Sequence, residues 1–102
     1  MTTEVDINID EKIKQTINEP PKYNVIVLND DATPMDWVIG VLKEVFKHSE
    51  SDAEVLTMQI HTDGSAVAGT YKYEIAEQKA LEAGNASKHH GFPLELKVEA
   101  SE

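Results

Sequence analysis

Residues 23–28, Tyr23-Asn24-Val25-Ile26-Val27-Leu28, run without a break into residues 29–36, Asn29-Asp30-Asp31-Ala32-Thr33-Pro34-Met35-Asp36. The first six are rich in β-branched residues and continuous enough for a buried strand. Beyond the polar stretch, Met35, Val38, Ile39, Leu42 and Phe46 recur at intervals of three and four, the spacing of an amphipathic helix. Thr33 is placed to cap that helix, Pro34 to be its first residue and Asp36 to complete a capping box. The polar stretch is therefore a strand-to-helix corner that carries carbonyl and carboxylate oxygens, and such a corner can hold a small cation.

The pattern continues outward in the same punctuation. The first helix is expected to end near His48, and Ser49 or Ser51 to cap a second whose Ala53, Leu56 and Ile60 face inward. Thr62-Asp63-Gly64 supplies the stop. Residues 66–71 read as a second strand, residues 73–87 as a third helix with a small-residue face, and residues 89–93 as a loop. Gly84 weakens the end of that helix by about 1 kcal/mol relative to Ala. Leu94, Leu96 and Val98 then alternate with Glu95, Lys97 and Glu99 as a half-exposed last strand. The order is β-α-α-β-α-β, an α+β class. The expected architecture is one compact domain over residues 21–102, with a three-stranded antiparallel sheet packed against three helices.

Residues 1–20 differ in character. Up to Glu19 they hold no aromatic residue and no Gly, and their apolar positions are Val5, Ile7, Ile9, Ile13 and Ile17. They are expected to form a flexible N-terminal extension, set off by the stiff Pro20-Pro21 pair. Ile9, Ile13 and Ile17 share the four-residue spacing of a thin helical stripe.

Composition narrows the function. A chain of 102 residues with 40% hydrophobic content supports one modest core. Nineteen Asp and Glu against nine Lys, with no Arg, give a formal net charge of −10. That charge disfavours nucleic acid, whose phosphates demand clustered cations, and anionic membrane surfaces. No apolar run is long enough to span a bilayer and no signal-peptide pattern opens the chain, so a cytoplasmic protein is expected. The absence of Cys removes disulfides and thiolate metal sites.

Among the candidate functional residues, Thr33, Pro34 and Asp36 are explained by capping, whereas helix capping does not call for Asn29 and Asp30. An Asn carbonyl and an ionised Asp together suit an ammonium group. His61, beside Ile60 near the end of the second helix, is explicable as a cation at a helix C-terminus. If the fold brings it to Asn29 and Asp30, its ring nitrogen supplies a third acceptor, and three acceptors around one tetrahedral ammonium distinguish a free α-amine from a peptide nitrogen. The competing chemistry is a divalent-metal site made from Asp30, Asp31, His61, His89 and His90. No nucleophile, Gly-rich phosphate loop or HExxH-type spacing accompanies it.

From Pro20-Pro21 to about Glu99 the chain resembles the ClpS adaptors of the bacterial N-end rule pathway. The resemblance rests on Val27-Leu28-Asn29-Asp30-Asp31 followed by Thr33-Pro34-Met35 and Val38, on Ile60-His61 with Gly64 beyond, on Gly69, on Glu74-Ile75-Ala76-Glu77 with Lys79, and on Pro93-Leu94. It implies a cytoplasmic, monomeric binding module that is not an enzyme and needs no cofactor or metal. Its partners would be a Clp AAA+ unfoldase of the ClpA type, contacted through the unfoldase's N-terminal domain, and substrate proteins with a bulky hydrophobic N-terminal residue. By matching positions, Asn29, Asp30 and His61 would hold the substrate's α-amino group. Thr33, Met35, Val38, Thr57, Ile60 and Leu94 would line the side-chain pocket, with Met35 as gatekeeper against β-branched residues. Glu74 and Lys79 would contact the unfoldase, and the N-terminal extension would be needed for delivery but not for binding. The alternative role is a regulator or inhibitor that docks on the unfoldase without delivering substrates. Two positions depart from the family pattern: Thr57 stands where a Met is common, and Ala32 where a larger residue is common.

Overall fold

The computed structural model describes residues 21–101, so the expectation for residues 1–20 lies outside the described residues. The elements are β1 (Lys22–Leu28), α1 (Met35–Glu44), α2 (Glu50–Asp63), β2 (Ser65–Lys72), α3 (Tyr73–His89) and β3 (Glu95–Ala100). The order is the β-α-α-β-α-β read from the sequence, and the strands form one antiparallel sheet in the order β2-β1-β3. β1 is the centre strand because both of its edges find partners, Tyr23 opposite Tyr71 on one side and Ala100 on the other.

Alternation explains which face carries the core. Val25 and Val27 are fully buried, as same-face residues of a strand under helices should be. Over them lie Val38, Val41 and Leu42 of α1, Ala53 and Ile60 of α2, and the small residues Ala76, Ala83 and Ser87 of α3. The small face of α3 lets that helix lie close to the sheet. No helix among the described residues is long and apolar enough to cross a membrane.

Three helix boundaries differ from the sequence reading, the simplest being the end of α3, which runs to His89 instead of residue 87. Pro34, not Thr33, occupies the N-cap position of α1, in extended conformation and with no side-chain cap. Its carbonyl accepts from the N–H groups of Trp37 (3.1 Å) and Val38 (3.2 Å). Thr33 and Asp36 therefore make no capping box, and Asp36 is left as an acidic first-turn residue that complements the helix dipole. At the other end α1 stops at Glu44 rather than near His48. Lys47 turns into the left-handed region (φ 62°), and the His48 N–H bonds back to the Leu42 carbonyl at 3.1 Å. By contrast α2 begins and ends on its signals. Ser49 accepts from the Asp52 N–H, and Gly64 closes the helix at φ 93°.

β2 is bent by an irregularity between the Val25 and Ile26 pairings, opposite Gly69 and Val67. A side chain at Gly69 would collide with the Tyr71 ring, which lies over that glycine and faces Phe46 at 6.5 Å. The missing Cβ is what leaves room for the Tyr71 ring, which packs against the core.

Leu42 is the largest fully buried side chain. Leu42→Ala should lower the unfolding free energy by about 2–5 kcal/mol, read from urea denaturation followed by far-UV circular dichroism.

Candidate functional site

Asn29 leaves β1 with its backbone N–H bonded to the carbonyl of Gly64 at 2.9 Å, which ties the corner after β1 to the end of α2. Asp30 then organises the turn. Its Oδ1 accepts from the N–H groups of Ala32 (2.8 Å) and Thr33 (2.7 Å), and its Oδ2 accepts from the Thr33 hydroxyl at 2.7 Å. Asp30, for which helix capping gave no reason, has a structural task after all: the turn, not the helix, is what it caps. An ionised carboxylate offers about four lone-pair sites, so one remains for an outside donor.

Partial burial pushes the Asp30 carboxyl up, but the Thr33 hydroxyl and the backbone N–H groups of Thr33 and Ala32 outweigh it. The net effect holds the group below its usual range, and it stays ionised well into acid.

Three segments meet around this corner. α1 brings Met35 and Val38, and α2 brings Thr57, Ile60 and His61, which share one helical face at spacings of three and four. Glu95 pairs with Leu28, so Leu94 arrives beside the start of the corner. Together they enclose a cavity of about 230 Å³ lined by Leu28, Asn29, Asp30, Asp31, Thr33, Met35, Val38, Thr57, Ile60, His61 and Leu94. Its volume falls below the ~300–1,000 Å³ of pockets for drug-sized ligands. Val38, Thr57, Ile60 and Leu94 are buried and form an apolar floor, whereas Asn29, Asp31 and His61 are exposed at the rim. Met35, 41% exposed, stands at the mouth.

Every residue expected in the amine-binding and side-chain groups thus lines one cavity. Leu28 and Asp31 line it too, and only their adjacency to Asn29 and Asp30 hinted at this. His89 and His90 do not line it: the His90 ring lies 4.4 Å from that of Trp37. Among the described residues no group of three or more His, Asp or Glu is placed to hold a metal ion. Thr57 donates its hydroxyl to the Ala53 carbonyl at 2.7 Å. Its donor is consumed by its own helix, so Thr57 lines the floor without offering a ligand a proton.

Trp37, which the sequence reading passed over, holds the cavity wall in place. Its indole N–H donates to the Ser87 hydroxyl at 2.8 Å, and Ser87 donates onward to the Ala83 carbonyl at 2.8 Å. The Phe92 N–H bonds the Ser87 carbonyl, and the Phe92 ring sits 5.3 Å from Trp37. α1, α3 and the segment leading to Leu94 are locked together at this point.

Glu74 and Lys79 lie on α3 and do not line the cavity. Glu74 is exposed. Lys79 donates to the Val45 carbonyl at the end of α1 (2.7 Å) and stands over the Tyr71 ring at 5.4 Å. It satisfies a helix-terminal carbonyl and makes a cation–π contact, a structural task.

The Asp30 bonds make a pH prediction. Asp30 holds its proton less tightly folded than unfolded, so its ionised form stabilises the fold fully above the unfolded pKa of about 3.9. That contribution is lost as pH falls through the lower folded value. The gap in urea midpoint between the natural protein and Asp30→Asn should stay constant from about pH 7 to 5 and narrow below about pH 4.

Comparison with known proteins gives this geometry its context. Residues 18–97 match the family model described as ATP-dependent Clp protease adaptor protein ClpS. The adapter protein ClpS of Treponema denticola is 45% identical over 87 residues, covering 85% of this chain and 86% of its own length. That of Helicobacter hepaticus is 43% identical over 83 residues, covering 81% and 84%. Among solved structures, Agrobacterium tumefaciens ClpS2 bound to L-phenylalaninamide superposes with a TM-score of 0.79 at 43% identity, covering 81% of this chain and 100% of that one. With one fold, one family match across most of its length and relatives well above 30% identity, the chain belongs to the ClpS family and is an adaptor of the ATP-dependent Clp protease, not an enzyme.

Proposed function

We propose that this adaptor binds the free N-terminal residue of substrate proteins in the cavity beside Asp30 and delivers them to a ClpA-like AAA+ unfoldase for degradation. The observation that carries this reading is the composition of that one cavity, where an anionic, acceptor-rich rim of Asn29, Asp30 and His61 adjoins a floor of Val38, Thr57, Ile60 and Leu94. A free α-ammonium fits the rim and a bulky apolar side chain fits the floor. The ligand of the Agrobacterium relative, L-phenylalaninamide, has this chemistry: a free amine, a benzyl group and an amide in place of a carboxylate.

Magnitudes are consistent with a usable affinity. Burying the side chain contributes about 1.5–3 kcal/mol. Each hydrogen bond from the ammonium to a charged or polar acceptor adds about 1.5–3 kcal/mol. Before the cost of association, three such bonds plus the side chain total about 6–12 kcal/mol, a range that brackets the ~8 kcal/mol of micromolar binding. Asp30 and Thr33 are already fixed to each other, so the acidic acceptor is preorganised and little of that energy is lost in arranging it.

In this reading Met35 at the mouth screens the shape of the first side chain and rejects branching at Cβ. Thr57 is shorter than the Met common at that position, which leaves depth for an aromatic ring. Glu74, exposed on the first turn of α3, and Lys79 contribute to the surface that meets the unfoldase.

A titration of fluorescent peptides that differ only in their first residue tests the site. Phe, Tyr and Trp should bind more tightly than Leu; the reverse order would overturn the role given to Thr57. N-acetylation should weaken Phe-peptide binding by at least about a hundredfold, since it removes the charge and leaves the acceptors facing an amide. His61→Ala and Asn29→Ala should each weaken it by about tenfold or more. Met35→Ala should admit peptides that begin with Val or Ile. Delivery is tested by degradation of an N-terminal Phe reporter with a ClpA-type unfoldase and its peptidase. Acceleration supports the adaptor reading, whereas inhibition alone would favour a regulator that docks without delivering.

A further inference from the structure

The chain has no Cys, so Met1, Met35 and Met58 carry all of its sulfur. Met35 and Met58 lie on helices and both are open to solvent, at 41% and 53%. Their surroundings differ. Met58 lines no part of the cavity beside Asp30, whereas Met35 opens α1 and stands at that cavity's mouth.

An exposed thioether is open to peroxide. Its sulfur lone pair attacks one peroxide oxygen, the S–O bond forms as the O–O bond breaks, and the proton of the transferred oxygen leaves with the departing hydroxide as water. The sulfur loses two electrons and the peroxide gains them. A flexible apolar side chain becomes a polar, chiral sulfoxide.

The lining of the cavity decides what that new oxygen meets. A sulfoxide accepts hydrogen bonds and donates none. Thr33 already donates its hydroxyl to Asp30, and Thr57 donates to the Ala53 carbonyl. The ionised carboxylates of Asp30 and Asp31 only accept. Among the described residues that line the cavity, the side chains of Asn29 and His61 are left to donate, and these are the groups that, with Asp30, would hold the ammonium. Before a ligand arrives, water reaches the exposed Met35 and solvates the oxygen. Once a bulky apolar side chain is seated, the oxygen either faces it without a partner or takes a group needed for the ammonium, and both outcomes weaken the complex. The frame of the site is spared, because the Asp30 bonds that fix the turn before Met35 use no atom of its side chain.

We propose that Met35 is a reversible oxidation site. Peroxide converts it to the sulfoxide, affinity for bulky hydrophobic N-terminal residues falls, and enzymatic reduction of the sulfoxide restores it. The proposal rests on the degron reading of the cavity given above.

The test uses full-length protein, hydrogen peroxide and a fluorescent peptide that begins with Phe and contains no Met. Mass spectrometry of proteolytic fragments follows Met35 and Met58 separately. Once Met35 is oxidised, affinity should fall at least about tenfold. It should return after treatment with both methionine sulfoxide reductases, one for each sulfoxide epimer. Met58→Leu should lose affinity on peroxide treatment as the natural protein does. Met35→Leu, compared with itself before and after peroxide, should not change. Saturating peptide should slow oxidation of Met35 and leave that of Met58 unaltered, since a seated side chain covers the mouth. A loss of affinity below tenfold with Met35 oxidised overturns the proposal, as does an equal loss in Met35→Leu or a Met35 that stays reduced while Met58 is oxidised. Untreated protein that fails to bind the peptide overturns the degron reading itself, and this proposal with it.

Discussion

The three hydrogen bonds accepted by the Asp30 carboxylate are the constraint on which the ligand end of this molecule depends. They convert a polar, otherwise open corner into a fixed turn between β1 and α1. The corner is fastened to the end of α2 by the bond from Asn29 to Gly64, and Gly64 can offer that carbonyl because a left-handed residue ends the helix there. Without the turn, α1 would have no defined entry angle, for Pro34 begins it with no side-chain cap. The same carboxylate that shapes the turn brings negative charge to the cavity rim. Structure and recognition share one side chain.

α1 needs a second support, because its apolar stripe alone does not set its position along the sheet. The Trp37 indole and the Ser87 hydroxyl give it one tie to α3, and the Lys79 ammonium and the Val45 carbonyl give it another. Each satisfies polar groups that would otherwise be stranded in partly buried surroundings. The first tie also reaches through Phe92 to the segment that carries Leu94, so a contact remote from the rim helps to place part of the cavity floor.

The architecture suits recognition rather than reaction. The cavity is small, its floor apolar and its rim made of acceptors. An adaptor needs a site that discriminates one short chemical feature and releases it intact, and an ammonium over an apolar pocket is such a feature. Lys79 is instructive beside this. A residue expected from family resemblance to face a partner is committed to its own fold, so a substitution there would alter stability together with any contact it makes.

The sequence by itself determined the elements and their order. Val25 and Val27, the three-and-four spacing through Leu42, Ser49 before α2 and Gly64 after it are local signals, and local signals survive without knowledge of what packs against them. It also singled out Asn29 and Asp30, because helix capping calls for neither, whereas the residues of the cavity floor were named through the family resemblance. What it misassigned were tasks that depend on distant partners. Thr33 looked like a helix cap until its hydroxyl was found on Asp30. Asp30 looked free until the turn closed around it. Trp37 and Ser87 are fifty residues apart, and no periodicity joins them. A hydrogen bond between side chains is decided by where two backbones come to rest, and only the tertiary structure fixes that.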